Sequence, residues 1–323
     1  MIILKTLNQI LNKHNSSLKK IDENIRKITK SNYPVINHSI SDLISGGGKR
    51  LRPLMVILSG CFGDYNSKIL EMAAGIEILH MATLVHDDII DDAEKRRGNN
   101  TAQNKFGNNT AVFIGDFLLS KAFKIFVKHS QKKPMYRLSN IVNTICEGEI
   151  NQFQNKFNTE ISITQYFKRI RKKTALLFGF STYLGAYESG LRNQELYNLY
   201  NVGLNFGMAF QIQDDILDFQ GQEKIMGKEI GQDIDSGVYT LPLVIALKND
   251  NNNYIHNLLL KDNLKKEEIN YIINRVNEIG IKPSKNIMRK FLKKADHHLD
   301  KLNNIQAKID LKEIINCQYS RNF

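Results

Sequence analysis

Apolar residues recur at three- and four-residue steps over most of this chain, and that spacing constrains its fold more than any other feature. In ILEMAAGIEILHMATLVHDDIIDDAEKR the positions Met72, Ile76, Leu79 and Thr83 lie along one helix face. The same spacing returns in AVFIGDFLLSKAFKIFVKH, NLYNVGLNFGMAFQIQDDILDF and ADHHLDKLNNIQAKI. There are only five prolines, and no Ser/Gly-rich linker, low-complexity tract or alternating strand-like run. The breaks fall at SGGGKRLRP, RRGNNT, NKFGNNT and MGKEIGQDIDSGVYTLP. The pattern predicts an all-α chain of about ten or more helices, many buried on several faces, forming one domain over residues 1–323.

The formal net charge is +12. Such an excess suits nucleic acid, an anionic membrane surface or phosphorylated small molecules. The basic residues are scattered over many helix faces, and no zinc-finger, homeodomain or RNP-type pattern accompanies them, so nucleic acid is not expected as a partner. Basic amphipathic stretches such as KPSKNIMRKFLKKADHHLDKL allow peripheral membrane contact at most. Cys61, Cys146 and Cys317 are too few and too far apart for a disulfide framework. The N-terminal stretch lacks signal-peptide character, and the best apolar run, YTLPLVIAL, is too short to span a bilayer. A cytoplasmic location is expected, or the plastid stroma if the gene lies in an AT-rich plastid genome.

Chemistry is concentrated in two acidic clusters. Asp87, Asp88 and Asp91 form a DDxxD pattern, and Asp214, Asp215 and Asp218 repeat it on a distant helix. Residues i and i+4 share a helix face, so each motif sets like charges side by side, which weakens the helix unless something offsets them. Clustered carboxylate oxygens suit hard cations, and Mg²⁺ prefers to share its shell with water and substrate phosphates. The second copy is embedded among Phe210, Ile212, Ile216, Leu217 and Phe219, an unusual setting for an exposed acidic patch. Neither motif has the loop glycine or the later Glu of an EF-hand.

Basic residues fit the same purpose. Arg96 and Arg97 follow the first motif closely, where guanidinium forks can bind diphosphate oxygens. In SGGGKRLRP, Gly46–Gly48 let backbone approach an anion that Lys49 and Arg52 can clamp. Arg50 in place of Ser or Thr, and the lack of a preceding strand, exclude a P-loop. His80 lies two turns before Asp87 on the same face, while His86 points off it. Lys173 and Thr174, read alone, are an interface lysine and a back-bonding threonine. Gln211, one turn before Asp214, can offer an amide oxygen to a cation. Lys228 lies in a glycine-punctuated segment that can close over a phosphate.

GGGKRLRP, HMATLVHDDIIDD, RRGNNT, KTALLF, FQIQDDILDF and GK-x-x-G-x-D, in that order between about residues 40 and 248, resemble the trans-isoprenyl diphosphate synthases, the polyprenyl synthetase family. GEINQFQNKFN and RIRKKTALL are nearest to the large subunits of its heptaprenyl-forming members. The resemblance implies antiparallel helices around a deep central cavity, a dimer or a pairing with a small subunit, and about three Mg²⁺ ions per active site. It implies that Asp87, Asp91 and Asp214 are metal ligands. Arg96, Lys173 and Lys228 would contact the allylic diphosphate. Lys49, Arg52, His80 and Arg97 would contact isopentenyl diphosphate, and Thr174 and Gln211 would lie close to the allylic carbon. One departure is visible: Val238 stands where many members have a lysine able to touch diphosphate.

A prenyltransferase of this kind works by ionisation, with metals and cationic side chains stabilising the departing pyrophosphate, and needs no protein nucleophile. Small residues at Ala82 and Thr83, before Asp87, imply an open tunnel past Leu79 and Ile76 and a product of about C30–C50 for quinone side chains, with Phe113, Phe117 or Phe178 as deeper floors. A large subunit inactive without its partner and a shorter-chain geranylgeranyl-forming enzyme are the alternatives. A terpene cyclase is disfavoured by the second DDxxD and the GGGKR segment.

Overall fold

The computed structural model describes residues 2–96, 98–220, 232–261 and 263–319. Its helices are α1 (Ile2–Lys13), α2 (Asn15–Ile28), α3 (Pro34–Ser45), α4 (Leu51–Gly60), α5 (Ser67–Ile90), α6 (Ala102–Phe106), α7 (Asn108–His129), α8 (Lys132–Gln154), α9 (Ile163–Ile170), α10 (Leu176–Glu188), α11 (Asn193–Gln220), α12 (Gln232–Asp235), α13 (Leu241–Asn249), α14 (Tyr254–Leu259), α15 (Lys266–Ile279), α16 (Ile281–Asp300) and α17 (Gln306–Tyr319). The fold is all-α, as the periodicity predicts. Two segments add what periodicity does not show. RRGNNT, expected as a plain break, carries a two-stranded antiparallel hairpin, β1 (Lys95–Arg96) and β2 (Asn99–Asn100), with Arg96 opposite Asn99. Arg171–Ala175, expected as ordinary helix, is a π-helical turn.

The chain divides into two compact units, each assembled from separated stretches. The first comprises Met1–Leu138, Phe180–Tyr200 and Leu302–Glu313. Its centre is α5, which packs chiefly on α7 and then on α4 and α2. Asn66 caps α5, its side chain accepting from the Lys68 amide. Ile69, Met72, Ile76, Leu79, Met81 and Val85 are all buried, so the helix is wrapped on most sides. This helix, not YTLPLVIAL, is the longest apolar stretch. Its 24 residues include an 18-residue stretch of mean hydropathy 1.3, long and apolar enough to cross a membrane, but 67% of that stretch is buried, as in a core helix. Asp310 of α17 accepts from Lys13 at 2.7 Å and lies 2.9 Å from His14, tying the beginning of the chain to its last helix.

The second unit comprises Ser139–Gly179, Asn201–Lys301 and Ile314–Phe323. Here α13 packs on α15, α16 and α9. Its N-terminus follows Thr240, and Pro242 occupies the first turn, where a missing amide hydrogen costs nothing. Phe178, Phe206 and Phe210 form an aromatic cluster with ring centroids 5.3–6.0 Å apart. Phe167 of α9 meets Phe291 of α16 edge to face.

In the first unit α10 approaches α4 at backbone distance, because residue 185 lacks a side chain. A Cβ there would lie 2.0 Å from the Val56 carbonyl oxygen. Neither helix backbone can yield by a flexible side-chain movement, so Gly185→Ala is expected to cost about 3 kcal/mol of stability, read as a shifted urea midpoint.

Candidate active site

The first DDxxD motif stands at the C-terminal end of α5. Asp91 is the C-cap, and its amide still donates to the Asp87 carbonyl at 2.9 Å. Asp92 follows in a left-handed conformation (φ 48°), and the Ala93 amide returns to the Asp88 carbonyl at 2.9 Å. This is the Schellman ending, built on aspartate where glycine is usual. A helix C-terminus carries partial negative charge. Four aspartates there are opposed both by the helix and by one another, which makes this end a strong attractor of cations.

The structure divides the three aspartates of the motif. Asp88 is buried, at 4% exposure, and accepts from Arg96 Nε at 2.7 Å. Asp87 is half-buried and Asp91 exposed. The hairpin that carries Arg96 is folded back by Thr101, whose hydroxyl donates to the Ala93 carbonyl at 2.7 Å, and by Gln103, whose amide donates to the same oxygen. One edge of the Arg96 guanidinium is therefore committed to Asp88, a partner that spacing did not reveal. A cavity of about 50 Å³ brings Gly46 and Gly47 together with Asp88 and Arg96.

In SGGGKRLRP the three cations have different fates. Arg50 is left-handed (φ 44°) and turned inward, its Nη1 2.7 Å from buried Glu77, its Nε 3.3 Å from Asp22, and its Nη2 donating to the Ile44 carbonyl. These bonds hold a conformation that a non-glycine residue does not readily adopt. Anchored in this way, the loop presents half-buried Lys49 and Arg52. Arg52 Nη1 and His80 Nε2 are 3.1 Å apart, a contact between this loop and α5. His86, given no role by its helical phase, packs against Gly115 of α7 and lies 3.4 Å from Asp116.

The second unit assembles a separate group around the second motif, which lies on α11. Asp214 is half-buried, while Asp215 and Asp218 are buried. The π-helical turn carries Lys173 and Thr174, and such turns recur at functional sites. It can approach α11 closely because residue 207 is glycine, where a Cβ would lie 2.7 Å from Ala175 Cα. One turn further along α11, Thr174 Oγ donates to Gln211 Oε1 at 2.7 Å. Gln211 Nε2 donates in turn to Asp215 Oδ1 at 2.9 Å, and the Tyr166 hydroxyl donates to Asp215 Oδ2. Lys173 Nζ lies 3.0 Å from Glu149. The Gln211 amide oxygen, expected to face a cation, thus already receives the Thr174 proton.

Burial pushes the Asp215 carboxyl up to about 7, against the opposing pull of the Tyr166 and Gln211 bonds. Burial, reinforced by the neighbouring Asp215 charge, raises the Tyr166 hydroxyl well above its ordinary value. Sequence reasoning missed Glu149, Tyr166 and the distinct roles of Asp88 and Asp215. Only the apolar setting of the second motif hinted that one of its carboxylates is buried. Arg97 and Lys228 lie outside the described residues.

A polyprenyl synthetase family profile matches residues 33–276. The chain is 37% identical over 318 residues to heptaprenyl diphosphate synthase component 2 of Bacillus subtilis, spanning 96% of this chain and 89% of that protein. Among solved structures, the heptaprenyl diphosphate synthase of Staphylococcus aureus is similar with TM-score 0.92 and 34% identity, over 96% of this chain and 98% of that one. A polyprenyl synthase of Caulobacter crescentus, solved with calcium and isoprenyl diphosphate, is similar with TM-score 0.90 and 27% identity, over 98% of each chain.

The raised Asp215 carboxyl gives a stability signature. Its folded value of about 7 lies above the ordinary 3.8, so stability is greatest at low pH and is lost as pH rises from 3.8 through 7. Asp215→Asn cannot ionise. In EDTA, the unfolding free energy of wild type relative to this variant is expected to fall by about 4 kcal/mol between about pH 4 and pH 8, as measured by urea titration.

Proposed function

This chain belongs to the polyprenyl synthetase family and is a prenyltransferase that makes trans-polyprenyl diphosphates in the C20–C50 range, and we propose that within it the enzyme is a long-chain synthase. It condenses isopentenyl diphosphate with a farnesyl or geranylgeranyl diphosphate primer to a product of about C30–C50, heptaprenyl-like, for quinone side chains. The observation that carries the reading is the pair of DDxxD motifs, one at the C-terminal end of α5 and the other on α11.

The donor set fits Mg²⁺. Each motif offers hard carboxylate oxygens at an i, i+4 spacing. Among the described residues no three His, Cys, Asp or Glu side chains are gathered to hold a metal ion. The assignment rests on the residue chemistry of the two motifs, since Mg²⁺ takes carboxylate oxygens and shares its shell with water and phosphate. Asp87, Asp91 and Asp214 would hold the ions, about three per site, which would supply Lewis-acid stabilisation of the leaving pyrophosphate.

The side chains do the rest. Lys173, Arg96 and Lys228 bind the allylic diphosphate and stabilise the charge that develops as its C–O bond breaks. Lys49, Arg52, His80 and Arg97 orient isopentenyl diphosphate, whose double bond forms the new C–C bond to the allylic carbon. Thr174 and Gln211 face that carbon with their oxygen lone pairs. A proton then leaves the condensed product for pyrophosphate, which restores neutrality at carbon and regenerates a double bond.

The two units act as one catalytic domain, in the cytoplasm. The component 2 name of the Bacillus subtilis relative supports a partner subunit, as an alternative to a homodimer. Apolar side chains exposed on α7 and at the start of α8, Phe113 at 69%, Val127 at 67% and Tyr136 at 68%, supply a surface for either. Phe113 is thus unsuited to floor a tunnel within one chain. Phe178, buried against Phe206 and Phe210, is a wall of the second unit's core. Of the two small residues before Asp87, Ala82 is buried and Thr83 half-buried, which makes Thr83 the better lining candidate.

With farnesyl diphosphate, isopentenyl diphosphate and Mg²⁺, the purified chain is expected to yield products of C30 or longer by mass spectrometry. Product that appears only once a second subunit is supplied would select the two-chain enzyme. EDTA or Asp214→Ala is expected to lower kcat by at least about a thousandfold; retained activity would remove the metal assignment. Thr83→Phe is expected to shorten the product by one or more isoprene units while leaving turnover of the primer intact, and an unchanged product ladder would place the limiting wall elsewhere.

A further inference from the structure

Tyr166 is fully buried on α9, and three hydrogen bonds link it to residues assigned to the allylic carbon. Its hydroxyl donates to Asp215 Oδ2, Asp215 Oδ1 accepts from Gln211 Nε2 at 2.9 Å, and Gln211 Oε1 accepts from Thr174 Oγ at 2.7 Å. Asp215 Oδ2 is already taken by the Tyr166 hydroxyl and Oδ1 accepts from Gln211, which turns the amide nitrogen toward Asp215. The amide oxygen must then face Thr174. That oxygen takes the Thr174 proton, so the hydroxyl keeps only acceptor capacity for any further partner. The direction of every dipole in the chain is therefore set at its buried end.

The buried end is itself held. Arg169 stacks over the Tyr166 ring at 5.5 Å and donates to the Tyr239 carbonyl, while Phe167 lies 5.7 Å from the same ring. The aromatic ring is locked by packing, and the hydroxyl can do little but donate to Asp215.

We infer that Tyr166 is a positioning residue for the condensation: acting through Asp215, it fixes the orientation of Gln211 and so aims the oxygen lone pairs of Thr174 and Gln211 at the allylic carbon as positive charge develops there. Charge of that kind exists in the transition state and not in the bound diphosphates, so the effect falls on kcat and leaves KM largely unmoved. The inference rests on the reading of Thr174 and Gln211 given above.

The test is a double-mutant cycle of Tyr166→Phe and Gln211→Ala in the full-length enzyme with Mg²⁺, farnesyl diphosphate and isopentenyl diphosphate, with thermal melting of every variant. Tyr166→Phe keeps the ring and removes only the hydroxyl. It is expected to lower kcat by about tenfold or more, with KM for both substrates within about twofold. In the Gln211→Ala background the same change is expected to add no further loss, because the residue through which it acts is gone. A wild-type kcat for Tyr166→Phe, or a full multiplicative loss in the double variant, would overturn the inference. If Tyr166→Phe fails to fold, Asp215→Asn takes its place in the cycle under the same two criteria. Gln211→Ala alone tests the underlying reading: wild-type kcat there removes the role of Gln211 itself, whatever Tyr166 does.

Discussion

Carboxylates crowded into two clusters, one on the negative end of α5 and one on α11, are the constraint on which this structure turns. The aspartates of α5 suffer mutual repulsion, an unfavourable helix dipole and, at Asp92, a left-handed backbone. The fold relieves one of them internally, by burying Asp88 against Arg96. In the second unit Asp215 is buried against two hydrogen-bond donors instead. In both motifs the middle aspartate is absorbed by the protein, and Asp87, Asp91 and Asp214 are less buried than the middle residue. Asp88, Asp215 and Asp218 are thus buried within the fold, while Asp87, Asp91 and Asp214 are not.

The basic residues divide in the same way. Arg50, flanked by Lys49 and Arg52, spends its charge on Glu77 and Asp22 and so fixes the loop that carries the other two. A buried pair of this sort adds little net stability, since desolvation offsets most of the attraction. What it supplies is position. Glu149 beside Lys173 and Asp88 beside Arg96 act alike, holding long flexible side chains in one arrangement.

Glycine at 207 and the π-helical turn solve a related problem in the second unit. Hydrogen bonding between Thr174 and Gln211 needs two helices closer than their side chains ordinarily permit. A residue without a Cβ on one helix and a locally widened turn on the other provide that approach. The aromatic cluster of Phe178, Phe206 and Phe210 packs beside it.

The helical class and the two DDxxD motifs were legible in the sequence, because they rest on periods of three and four residues and on residue chemistry. What periodicity could not separate is which aspartate of a motif is buried, since adjacent residues differ by 100° of helical phase and burial depends on what packs against each. Glu149 meeting Lys173 and Tyr166 meeting Asp215 join residues distant in the chain, and only packing brings them together. The π-helical turn has no distinct apolar period, and the Arg96 hairpin is too short for one. Local patterning of the chain therefore determined the helices and the chemical inventory of the site; the tertiary structure decided which charges are spent on holding the protein together and which remain to meet a ligand, because only close packing sets the burial that separates the two.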